Sequence, residues 1–259
     1  MESLVSQFAL FVISFIANLF SALAGGGAGL LQLPALLFLG LPFSIALATH
    51  KVASVFLGVG ATARHMKSAH LNWVFVLVVL GFGLPGVWLG ANVILHIEDH
   101  YAQLALGILT LGLGVYSWRQ PELGQTLSLR NQNLPGWGIG GLVLFLIGAL
   151  NGSLTSGTGL FVTLWLIRWF GLDYKLAVAY TLILVGLFWN GAGALTLGLQ
   201  GQIEWGWLPA LIVGSLFGGY LGAHLAIVKG NKLVKRSFEV MTVLVGLALI
   251  IKAVVHASH

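Results

Sequence analysis

Long apolar runs separated by short polar gaps fill this chain from end to end. Runs approaching the roughly 20 residues of a membrane span fall at about 5–23, 42–63, 71–95, 101–118, 136–155, 174–198, 206–228 and 234–256. Each predicts a helix, because backbone in hydrocarbon must satisfy its own polar groups. Two shorter runs, 28–40 and 158–170, follow the first and fifth directly, set off only by Gly25-Gly26-Gly27 and by Ser156-Gly157. Thirteen residues rise about 20 Å as a helix, short for a span, so each predicts a half-helix.

The same order of events occurs twice, at a shift of 131 to 132 residues. Gly26 matches Gly157, Ala28 matches Gly159, Gly40 matches Gly171 and Ala46 matches Ala177; after one inserted residue Thr49 matches Thr181. Trp73 then matches Trp205, Gly86 matches Gly218, and Leu89-Gly90-Ala91 matches Leu221-Gly222-Ala223. Single matches between apolar sequences mean little, but the preserved order predicts a tandem repeat. Residues 1–118 form the first transmembrane repeat, 119–135 a polar linker and 136–259 the second repeat.

Composition sets the solvent. The 259 residues are 58% hydrophobic and 7% charged, where a soluble domain carries about 25% charged residues. This predicts an all-α polytopic membrane protein of the inner membrane. The N-terminus, MESLVSQFALF, shows no basic n-region or cleavage site and is read as part of the first helix. The formal net charge of +5 sits in gaps between apolar runs, which points to membrane orientation rather than to nucleic acid. With the loop of Arg64 and Lys67 placed in the cytoplasm, ten of the twelve basic residues fall on that side, including the linker and the Lys229–Arg236 group. Glu2, Glu98, Asp99 and Glu204 fall outside. The first repeat then starts outside and the second inside: two inverted-topology repeats, each a broken-helix pair followed by three transmembrane helices.

Candidate chemistry follows from Lys51, about ten residues into the 42–63 run and hence near mid-depth. A charge there costs about 2.5 to 3.5 kcal/mol on insertion scales and usually faces a partner or a wet cavity. The two glycine breaks, with Gly26 and Gly27 in one repeat and Ser156, Gly157 and Thr158 in the other, place half-helix N-termini where an anion can meet them. The repeat counterpart of Lys51 is Ile183, so the expected pocket is lopsided, with a fixed cation from one repeat and neutral donors such as Thr49, Thr181 and Asn190 completing it. His50 is a candidate for anion contact or proton relay, and His224 a second relay candidate. Asn18, Gln32, Asn151 and Ser153 are further polar residues within apolar runs, as ready to bond a neighbouring helix as a ligand.

Several functions are excluded. Gly25-x-Gly27 has Leu30 at the sixth position, and no Walker lysine follows a glycine loop. The absence of cysteine removes disulfides and thiolate metal sites. No cofactor, metal or catalytic residue is expected. Glu239 is the one carboxylate well inside an apolar run and is expected to pair with Lys235 or Arg236. Gly86-x-x-x-Gly90, Gly214-x-x-x-Gly218 and Gly218-x-x-x-Gly222 read as helix-packing faces, and they leave a homodimer open.

The segment AGGGAGLLQLPALLFLGLPFSIALATHKVAS resembles the first-repeat signature of the TauE/SafE sulfite exporter family, in which a glycine cluster, a proline-containing apolar helix and an Ala-Thr-Asn-Lys-like motif follow in order. GSLTSGTGLFVTLWLIRWFGLDYKLAVAYT is similar to the second-repeat counterpart, and the resemblance spans about residues 10–250. It implies a transporter of a small sulfur-containing anion such as sulfite or sulfoacetate, not an enzyme. Two departures stand out: His50 replaces the family's common asparagine, and Thr163-Leu164 replaces a frequent valine-proline. A passive anion channel and a membrane-embedded sulfur-metabolism module are the alternative readings.

Overall fold

The computed structural model describes residues 4–67, 71–93, 99–154, 157–200 and 203–257, and among them every regular element is helical. In the first half, α1 spans Leu4–Ala24, a 3-10 turn spans Ala28–Leu30, and α2, α3, α4 and α5 span Gln32–Phe38, Phe43–His65, Trp73–Val93 and Asp99–Trp118. In the second, α6 spans Leu134–Leu154, α7 Thr158–Phe170 and α8 Tyr174–Tyr180; a π-helix over Thr181–Trp189 continues into α9 (Asn190–Gln200), followed by α10 (Leu208–Lys229) and α11 (Asn231–Ala257).

Among the described residues, six segments are long and apolar enough to cross a membrane: Leu4–Ala24, Ser44–His65, Trp73–Asn92, Leu134–Ser153, Tyr174–Leu199 and Leu208–Lys229. The sequence pattern predicts eight. The other two predicted runs form α5 and α11, helices of 20 and 27 residues that pack against each other. The described apolar part of α5 is Gly107–Trp118, and the first turns of α11 carry Lys232, Lys235, Arg236 and Glu239. Phe8, Trp73, Leu77, Trp88, Phe217 and Leu244 are exposed, as lipid-facing side chains of a polytopic bundle must be.

Helix pairing is reciprocal between the halves. The first helix of each half packs against the third span of the other, α1 on α10 and α6 on α4. Small residues permit this close approach. A methyl group at Gly218 would sit 2.5 Å from the Phe15 carbonyl, and one at Gly90 would sit 1.9 Å from the Ala149 carbonyl. The glycine faces singled out in the sequence are therefore contacts within one chain.

The two short elements differ. Residues 158–170 form the single 13-residue helix that their length predicts. Residues 28–40 do not: a 3-10 turn is followed by the 7-residue α2. Pro34 accounts for this, because its ring excludes an α-type bond to Leu30 and confines it to the first turn of a helix. The second half has Trp165 at the matching position and its helix runs unbroken.

The 119–135 linker lies across the C-terminal end of α7. Ser128 N donates to the Gly171 carbonyl at 2.8 Å and Arg130 N to the Phe170 carbonyl at 3.0 Å, while Asn131 Nδ2 reaches the Trp169 carbonyl at 2.7 Å. These donors satisfy carbonyls that a helix end leaves without intrahelical partners. Nearby, Glu239 pairs with Lys235 at 3.4 Å, as expected.

Candidate functional site

The two glycine breaks meet in the middle of the molecule. Gly25, Gly26 and Gly27 have φ of 84°, 129° and 98°, a conformation in which a side chain is strained. The turn reverses the chain after α1, with the amides of Gly25 and Gly26 both donating to the Ser21 carbonyl at 2.9 and 2.8 Å. Opposite it, Gly157 caps α7 with φ 74° and offers no side-chain hydrogen bond to the helix. A methyl group at Gly26 would sit 2.6 Å from Gly159 Cα, so backbone touches backbone. Thr163 Oγ1 ties the junction by donating to the Gly25 carbonyl at 2.7 Å. The Thr163 hydroxyl thus has a local role at the junction.

Beside the junction lies a cavity of about 30 Å³, room for roughly one or two water molecules. Gly26, Gly27, His50, Thr158, Thr181 and Asn190 all line it. Six of the ten residues singled out from the sequence are thus brought together, three from each half. Ser21, Ser54 and Asn151 line it too. The N-terminus of α7 opens onto it through Thr158 and Gly159, aiming the positive end of that helix dipole at the cavity.

Lys51 is fully buried but does not itself line the cavity. Its Nζ donates to the carbonyl and to Oδ1 of Asn151, at 2.7 and 2.9 Å. Asn151 lies in the last turn of α6, so the ammonium rests on the negative end of that dipole. Asn151 Nδ2 in turn donates to Thr158 Oγ1 at 2.8 Å. Lys51, Asn151 and Thr158 therefore form one relay from the α3 cation, across the α6–α7 break, to the cavity wall. A methyl group at Gly193 would sit 3.0 Å from Nζ, so the lysine head occupies space that only glycine on α9 leaves.

The remaining candidates are placed elsewhere. Thr49 is buried, but its Oγ1 accepts from the Glu204 amide at 3.0 Å, tying α3 to the loop before α10. Gly157 acts through backbone, as the α7 cap. Ser156 lies outside the described residues. His224 accepts from Arg64 Nε at 3.0 Å, joining α10 to the end of α3. His50 holds Gln32 Oε1 at 3.1 Å through Nδ1, and Ser54 Oγ lies 3.1 Å from its Nε2.

Asn151 is the partner that sequence reasoning underrated: it stood among several polar residues with no signal linking it to Lys51, 100 positions away. The π-helix had a trace in the sequence. The one-residue insertion needed to align Thr181 with Thr49 falls where the π-helix begins, and a π-bulge is how a helix absorbs an extra residue. Replacing Asn151 by leucine removes one acceptor from a buried ammonium and is expected to destabilise by about 1.5 to 3 kcal/mol. Thermal unfolding in detergent checks this, and the Lys51→Met/Asn151→Leu double variant should recover part of the loss, because the two side chains act as a pair.

Residues 10–249 match the family model for the sulfite exporter TauE/SafE. The chain belongs to the TauE/SafE family. The resemblance read from the glycine and lysine motifs is thereby borne out. Among TauE/SafE relatives, a probable membrane transporter protein of Haemophilus influenzae is 30% identical over 233 residues, covering 90% of each chain. A Sinorhizobium probable membrane transporter protein, ORF9, is 27% identical over 96% of this chain and 93% of its own. Escherichia coli YfcA, also a probable membrane transporter protein, is 24% identical over 93% of this chain and 88% of its own. No solved structure matches significantly. This TauE/SafE chain is a multi-pass membrane transporter of the inner membrane.

Proposed function

We propose that this protein is a secondary transporter of a small sulfur oxyanion or organosulfur anion, such as sulfite or sulfoacetate, bound at mid-membrane between two inverted halves. The observation that carries the reading is the cavity where both glycine breaks converge, with the α7 N-terminus opening onto it and the Lys51–Asn151–Thr158 relay forming its wall. An anion there accepts hydrogen bonds from α7 backbone amides and hydroxyls. Lys51 supplies the fixed positive charge, directly once its third hydrogen turns to the ligand, or through Asn151.

Alternating access is the mechanism this arrangement favours. Reciprocal packing of α1 on α10 and α6 on α4 is what two inverted halves related by a two-fold axis produce. A cavity of about 30 Å³ has room for about one or two waters, and movement of one half against the other would widen it for an anion. A passive channel instead needs a continuous path. Names of relatives as membrane transporters favour transport over an enzymatic role.

The test is flux of labelled sulfite, sulfoacetate, taurine and thiosulfate in proteoliposomes. Saturable uptake of at least one anion, with counterflow driven by unlabelled anion inside, is the expected outcome. Linear, non-saturating flux without counterflow would replace the carrier by a channel, and no flux of any of the four would remove the sulfur-anion assignment.

A further inference from the structure

A second cavity, of about 580 Å³, opens between α5 and α11, and none of its lining residues belongs to the anion cavity. Lys235 Nζ donates to the carbonyls of Ser117 and Gln120, so the end of α5 meets the first turns of α11. Both helices leave apolar sequence there, at Trp118-Arg119-Gln120 and at Asn231-Lys232. Arg236, Val240, Val243 and Leu244 line the slot from α11 at i, i+4, i+7 and i+8, one helix face. Arg236 and Leu244 are eight residues apart, which is about 12 Å along the axis. On α5, a methyl group at Gly114 would sit 2.3 Å from Thr242 Oγ1, so the two helices touch behind the slot and close its floor.

The slot is charged at its mouth and apolar along its length. Its two charged lining residues are Arg236 and Glu239. Glu239 is neutralised within the protein, by Lys235 at 3.4 Å and by Ser117 Oγ, which donates to it at 3.0 Å. Arg236 is exposed and has no hydrogen bond or ion pair among the described residues. Trp118 beside it is 72% exposed, and Val240 and Leu244 further along are 51% and 56% exposed. A tryptophan and an arginine at the end of an exposed apolar face mark the membrane–water boundary. We propose that the α5–α11 slot binds an anionic phospholipid, with the headgroup phosphate on Arg236 and an acyl chain along Val240, Val243 and Leu244.

Each part of the lipid meets a matching part of the slot. A guanidinium holds phosphate through paired hydrogen bonds, and basic pockets between membrane helices recur as sites for anionic headgroups. Arg119 and Lys232, both exposed at the same helix ends, add positive charge and favour a headgroup of net negative charge over a zwitterionic one. Free phosphate would answer Arg236 and leave the apolar slot unfilled. A two-fold dimer through this face, with both copies oriented alike in the membrane, would bring the two Arg236 groups to the same depth, where like charges oppose association. The inference rests on the membrane placement of the chain and not on the anion cavity, so its outcome is separate from that of the transport reading.

The test uses the full-length protein, purified in detergent and stripped of lipid. Binding by native mass spectrometry and thermal unfolding are measured with phosphatidylglycerol, with phosphatidylethanolamine of identical chains, and with inorganic phosphate. Saturable binding and a higher melting temperature are expected with phosphatidylglycerol and not with the other two. Arg236 is exposed, so Arg236→Gln is expected to fold and to bind phosphatidylglycerol about tenfold more weakly. Val240→Trp, which fills the slot and keeps the arginine, is expected to weaken binding as well. The chain has no cysteine, so Val240→Cys carries a single thiol and is expected to stay monomeric when oxidised in proteoliposomes. Equal binding of the two lipids, equal stabilisation by inorganic phosphate, wild-type affinity in Arg236→Gln, or a disulfide-linked dimer of Val240→Cys, which would give this face to a second copy, overturns the proposal.

Discussion

Lys51→Ala is expected to lower anion flux in proteoliposomes by at least about a hundredfold while leaving a folded protein. Loss of one preorganised donor to an anion in a water-excluded site typically removes about 2.7 to 4 kcal/mol, and in the proposed site Lys51 would be both a donor and the fixed charge. Folding survives because alanine at this position leaves no unpaired charge behind, and Asn151 keeps its bond to Thr158 Oγ1 at 2.8 Å. Lys51→Arg tests geometry rather than charge. The space between Nζ and Gly193 is filled, with a methyl at Gly193 already within 3.0 Å of Nζ, and a planar guanidinium is bulkier than an ammonium. Arginine is therefore expected to restore little of the flux. Wild-type rates in Lys51→Ala, in preparations matched by size-exclusion profile, would place the anion elsewhere.

Gly26→Ala is expected to cost more stability than any other single methyl group added in the site. The residue has φ 129°, and the added carbon would sit 2.6 Å from Gly159 Cα and 2.7 Å from Gly159 C. Those neighbours are backbone and cannot rotate away, so the two breaks must separate. Strained backbone contributes about 1 to 3 kcal/mol and overpacking a further 1 to 3 kcal/mol. Gly40→Ala supplies the comparison, because φ is 99° there and nothing lies within 4 Å of the added carbon. The yield of monodisperse protein and its melting temperature are expected to fall sharply for Gly26→Ala and by less for Gly40→Ala, which carries the backbone strain without the clash. Equal losses would mean that strain alone, and not contact between the halves, makes Gly26 necessary.

The candidate site was legible in the sequence as a set of residues and less so as a set of contacts. Gly26, Gly27 and Thr158 were marked by breaks in apolar periodicity, and Lys51 by a charge where hydrocarbon was expected. Both signals are local. Asn151 as the acceptor for Lys51 and Thr163 as the tie to Gly25 were not legible, because each depends on a partner at least 100 positions away. Thr49 illustrates the converse: its match to Thr181 pointed to the cavity, yet its hydroxyl faces the Glu204 amide instead.

What the sequence by itself determined was the solvent, the helical class, nearly every helix boundary and the duplicated order of elements. These follow from transfer of side chains and backbone between water and hydrocarbon, which is a property of each segment alone. Only the tertiary structure decided which helices pair, that the two glycine breaks touch at Gly26 and Gly159, and that the buried ammonium is held by Asn151. In an apolar bundle, pairing is selected by close backbone approach at small residues and by the few buried polar groups that must find one another. Those partners are fixed by three-dimensional proximity, and an apolar sequence offers many equivalent glycines from which the packed structure alone selects.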